Sequence, residues 1–123
     1  MKLSFSTLTG GYSICRLPAD APLPNWAEGA GLVSITRAED ELSIVCLSER
    51  APTDADHGWC ALRVDTLAEL DEPGVVMAAV APISSAGLGV FVISTHLRDY
   101  LLVRMVETDR ARAALIGAGH VFT

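Results

Sequence analysis

Two short stretches carry groups suited to holding a small charged molecule. The first is Asp71-Glu72-Pro73-Gly74-Val75-Val76. Proline is favoured in the first turn of a helix, so Pro73 predicts a helix start there. A helix start presents amide hydrogens that lack intrahelical acceptors, and these can take a carboxylate. Gly74 has no Cβ and lets the backbone approach such a group closely. Asp71 and Glu72 can take an ammonium or a basic side chain. Their plainer role is to favour the positive end of the helix. The second stretch is Ile93-Ser94-Thr95, which offers two hydroxyls at a strand end. Ordinary strand-end packing is its plainer role. His96 follows as a solvated turn histidine or a lining residue.

Serine, histidine and aspartate all occur, yet no nucleophile elbow, phosphate loop or paired metal ligands are visible. No catalytic residue and no cofactor is expected. Cys15, Cys46 and Cys60 each lie in a strand-like run, and an odd count without paired spacing is not a disulfide framework. They read as small buried hydrophobes. His57, His96 and His120 are far apart and there is no CxxC, which disfavours a zinc site.

The chain has 123 residues, half of them apolar, enough to bury a core in one compact body or two small ones. Its formal charge of −6 argues against nucleic acid and anionic membrane surfaces as partners. No apolar run reaches the roughly 18 residues that span a bilayer. The first residues alternate polar and apolar and lack a signal-peptide core, so a soluble cytoplasmic protein is expected.

Alternation predicts strands over Leu3–Leu8, Tyr12–Leu17, Leu32–Thr36, Leu42–Leu47 and His57–Thr66. Pro18, Pro22 and Pro24 leave room for only a short turn around Asn25–Glu28, with Trp26 packing inward. A helix begins near Pro73, with Val76, Ala79, Val80 and Ile83 on one face. Pro82 predicts a kink or an early end, and Gly87 a cap. Strands follow over Val90–Thr95 and Tyr100–Met105. Thr108 or Asp109 caps a last helix that buries Ala111, Ala114, Leu115 and Ala118. His120–Thr123 forms a terminal strand.

A shift that lays Gly31 on Gly89 also lays Ile35 on Ile93, Thr36 on Ser94, Leu42 on Tyr100 and Val45 on Val103. Each hairpin follows a strand, which suggests two related halves, with His57–Thr66 closing one and opening the next. Val90, Phe91, Val92 and Ile93 are all apolar, so both faces of that strand are expected to be covered, one by helices and the other by a partner sheet or subunit, which suggests a homodimer.

The stretch Glu72–Met105 resembles the middle of an ACT domain, the small βαββαβ module that binds amino acids and signals to a neighbour. Pro73–Val76, Ala86-Gly87, Ile93-Ser94-Thr95 and Asp99–Val103 carry the resemblance. Tyr12–Pro18, Asp40–Val45 and Trp59 extend it. The whole chain is similar to short bacterial two-ACT proteins and to the paired modules of the arginine-sensing CASTOR proteins. The resemblance implies an α+β fold of two ferredoxin-like (βαββαβ, ACT-type) halves with antiparallel sheets. Residues 1–58 form the first half, with a reduced helix, and residues 59–123 the second. It implies a non-catalytic regulatory protein that senses a free amino acid between ACT modules and acts on a separate protein. The ligand would meet Asp71, Glu72, Pro73, Gly74, Val75 and Val76 on one side and Ile93, Ser94 and Thr95 on the other. A structural or protein-interaction module without ligand is the alternative. His96-Leu97-Arg98 departs from the family, which often has smaller or more acidic residues there.

Overall fold

The structure is a computed structural model that describes all residues, Met1–Thr123. Its elements are β1 (Ser4–Thr7), β2 (Tyr12–Leu17), β3 (Ser34–Arg37), β4 (Leu42–Leu47), β5 (Asp56–Val64), α1 (Val75–Ser85), β6 (Phe91–Ser94), β7 (Asp99–Arg104), α2 (Thr108–Gly117) and β8 (Val121–Phe122). They divide into two compact units, Thr9–Trp59 and a second made of Met1–Leu8 with Cys60–Thr123. The α+β class is as expected, with mixed strand directions and two helices. No helix is long and apolar enough to cross a membrane.

The Thr9–Trp59 unit is largely β. Its strands run in the order β3-β4-β2 and then the start of β5, all antiparallel. Proline limits its helix to one 3-10 turn, Asn25–Ala27. That turn lays Trp26 and Ala27 over Leu17, Ile35, Leu42 and Ile44. Arg50 holds it down by donating from Nε to the Trp26 carbonyl (3.1 Å) and from Nη1 to the Ala30 carbonyl (2.9 Å).

In the other unit the strand order is β6-β7-β5-β1-β8. The run β5-α1-β6-β7-α2-β8 is the βαββαβ sequence of elements. Leu62, Val64, Leu101 and Val103 meet Ala79, Ile83, Ala111 and Leu115 of the helices in one core. The residues of β5 are divided between the units, with Asp56–Trp59 in one and Cys60–Val64 in the other.

Three details differ from expectation. First, Met1–Leu8 packs with the second half. β1 is antiparallel to β5 (Phe5↔Val64) and parallel to β8 (Phe5↔Phe122), and Leu3 and Phe5 are core residues. Alternation identifies a strand but not its partner. Second, the hairpin repeat is one residue out of step. Both hairpins have four-residue turns closed alike, Ala38 N–H to the Glu41 carbonyl (2.8 Å) and Thr95 N–H to the Arg98 carbonyl (2.9 Å). Leu42 therefore matches Asp99, and the first five residues of β4 and β7 share one burial pattern. Third, of the two outcomes expected at Pro82, a kink or an early end, the early end does not occur. It runs through Pro82 to Ser85 and stops at Gly87 (φ +79°), where Leu88 N–H bonds the Ile83 carbonyl.

Smaller corrections concern helix faces and caps. Val76 is exposed, and Val75 packs on the core in its place. No side chain caps α2, because the Thr108 hydroxyl donates back to the Met105 carbonyl (2.8 Å). Ala111 and Leu115 are buried as expected, while Ala118 is exposed.

Candidate functional site

A cleft of about 130 Å³ opens beside the start of α1. One water needs only ~10–15 Å³ of such space, so the cleft has room for more than a single water. Its walls are the end of β5, the 66–72 segment, the first turn of α1 and the hairpin between β6 and β7. Of the expected site residues, Glu72, Val75, Val76, Ser94 and Thr95 come together here. Asp71 faces a neighbouring open concavity with Leu67, Leu70 and Leu97. Pro73 and Gly74 line neither. Ile93 is buried and lines neither as well.

Gly74 acts through its backbone. It is the N-cap of α1 with φ +88°, a conformation L side chains rarely adopt, and no side chain caps the helix. The first intrahelical bond comes from Ala78 N–H to the Gly74 carbonyl (2.9 Å). The amides of Val75 and Val76 thus have no intrahelical acceptor at the cleft wall.

The two hydroxyls are already engaged. Ser94 Oγ donates to Asp99 Oδ1 at 2.6 Å, and Thr95 Oγ1 donates to the Arg98 carbonyl at 2.9 Å. Arg98 N–H returns a bond to Thr95 Oγ1 (3.3 Å). These bonds brace the turn that carries Arg98. Glu72 Oε1 accepts the Glu69 N–H (3.3 Å), and the Glu72 N–H donates to the Glu69 carbonyl (3.1 Å), which gives the 66–72 segment its shape. Thr66 Oγ1 ties the same segment to β1 by accepting the Ser4 N–H (2.8 Å).

Reading the sequence alone misses Thr66, Glu69, Arg98 and Asp99, all of which line the cleft. Asp99 left a trace. In the correct hairpin alignment it stands where Leu42 stands, and it is as buried as a core residue. A carboxylate at a core position of a repeat marks a local polar task. No cluster of side chains in the fold suits a metal ion.

The ACT domain profile matches residues 54–116, and a profile for an N-terminal domain matches residues 10–54. No curated protein sequence matches. Among solved structures, a protein from Agobacterium tumefaciens is 42% identical, with a TM-score of 0.94, over 100% of this chain and 93% of its own. A Vibrio cholerae protein of unknown function, described as a possible transport protein, is 18% identical, with a TM-score of 0.76, over 95% of this chain and 90% of its own. The regulatory subunit of aspartate kinase from Thermus thermophilus shares the fold at 10% identity and a TM-score of 0.60, over 89% of this chain and 93% of its own. The ACT profile spans β5 through most of α2, the elements that build the cleft. The chain belongs to the ACT domain family.

Proposed function

We propose that this protein is a non-catalytic regulatory module that binds a small zwitterion, a free amino acid, in the cleft beside α1. The observation that carries this reading is the mixture of charges on one small wall. Uncapped amides and Arg98 can meet a carboxylate, and Glu69 and Glu72 can meet an ammonium. Binding would be passed to a separate protein, with the chain itself acting as a homodimer. β6 supports the dimer, since it pairs only with β7 and leaves Val92 exposed at its edge.

The test is a thermal-shift and calorimetric screen of the twenty common amino acids at millimolar concentration. At least one is expected to raise the melting temperature saturably. Silence from all of them would remove the sensing role. It would leave a protein-interaction module, which the exposed Leu67, Leu70 and Leu97 at the neighbouring concavity favour. Light scattering at high concentration tests the dimer, and a strictly monomeric mass would count against it.

A further inference from the structure

We infer that Arg98 is the residue that recognises the carboxylate, and that Asp65 competes with the ligand for it. This rests on the cleft being the amino-acid site. Arg98 lines the cleft with a side chain only 19% exposed. A guanidinium so far withdrawn from water normally has close acceptors. Arg98 has one distant contact, Nη1 to Asp65 Oδ1 at 3.7 Å, which is outside hydrogen-bond range. Its fork of donors is therefore open, in a place with room for an anion.

Asp65 does not need Arg98. The same Oδ1 already accepts from Arg63 Nε at 2.6 Å and from Ser6 Oγ at 3.0 Å. Losing a third, longer contact leaves Asp65 paired and hydrogen-bonded. Arg98 can thus turn to a guest carboxylate without leaving the half-buried Asp65 unpaired. Ser94 and Thr95 have spent their hydrogens within the hairpin, so they position the turn rather than donate to the guest. Arginine suits the task because its planar fork matches a carboxylate in two parallel bonds.

The geometry predicts a ligand with a free carboxylate and an affinity set partly by an internal rival. The experiment takes the amino acid giving the largest shift with the unaltered protein, together with its α-carboxamide. The carboxamide is expected to bind at least about tenfold more weakly. Arg98→Met should weaken the acid by a similar factor, and Arg98→Lys by less. Asp65→Asn should tighten it, by up to about fivefold, by removing the competing charge. Far-ultraviolet dichroism checks that each variant is folded, and the acid–carboxamide pair needs no variant. Equal binding of acid and carboxamide overturns the assignment, as does full affinity in folded Arg98→Met, and both leave the amino-acid site standing. Binding of no amino acid by the unaltered protein overturns both together.

Discussion

At the scale of single residues, the backbone at Gly74 and the thiols of the Thr9–Trp59 unit make separate demands. Gly74 starts α1 at φ +88°, and a Cβ there would meet nothing closer than Met1 Cε at 4.0 Å. Space is available, so Gly74→Ala tests conformation alone. It should cost about 1–2 kcal/mol in a urea titration, the usual penalty for a left-handed L residue. An unchanged midpoint would show that the helix start can relax. Burial pushes the Cys15 thiol up, with Asp54 and then Cys46 adding to it. Burial also raises Cys46, against a lowering pull from Arg50. Thiols held neutral are poor nucleophiles. A raised native pKa means the folded chain holds these protons more tightly than the unfolded one. Their contribution to stability is complete below the ordinary value of 9.0 and is lost as pH rises beyond it. The urea midpoint should fall above that pH, and less steeply in Cys15→Ala with Cys46→Ala. The cysteines were legible as buried small groups from their strand context. Arg98 was not, because its contact with Asp65 joins two connecting segments far apart in the sequence and no local pattern announces it.

At the scale of elements, α1 shows how a distant side chain overrides a local rule. Proline inside a helix removes one amide and leaves the carbonyl four residues earlier without its partner. Here that carbonyl belongs to Ala78, and His120 Nε2 donates to it at 2.9 Å. The opposite ring nitrogen, Nδ1, accepts the Leu3 N–H at 2.9 Å, which assigns the proton to Nε2. His120 is itself placed by the end of α2, where Gly119 (φ +98°) lets His120 N–H bond the Leu115 carbonyl (3.1 Å). A helix interrupted at Pro82 was a sound expectation from the sequence, since the rescuing group lies far along the chain. His120→Ala should destabilise by about 1–3 kcal/mol, because it leaves the Leu3 amide and Ala78 carbonyl without partners. In a Pro82→Ala background the new amide can serve Ala78, so the cost of His120→Ala should shrink by about 1 kcal/mol. A double-mutant cycle by urea unfolding measures that coupling. Strict additivity would show that the two groups do not share the carbonyl.

For the whole molecule, the strands, the two helices and the glycine stops were largely readable because each has a local period or a punctuating residue. The partition of the chain was not. A strand next to Gly10-Gly11 looks like the opening of the first half, yet β1 lies between β5 and β8, and Thr9–Trp59 is an insertion within the other unit's sequence. Parallel pairing of the first strand with the last is the kind of non-local contact that alternation cannot encode. It makes the terminus structurally central. Leu3 and Phe5 are almost fully buried, and each such side chain is worth roughly 1.5–3 kcal/mol on burial. β8 has β1 as its only partner, and His120 Nδ1 accepts from Leu3. Against a typical total of about 5–15 kcal/mol, these losses together rival the stability of the unit. A chain beginning at Thr9 should therefore lose protection at Leu101, Leu102 and Val103, the buried centre of β7, when amide exchange is followed by mass spectrometry. The full chain should exchange there only slowly. Equal protection in both chains would mean that β5, β7 and the two helices hold together without the first strand.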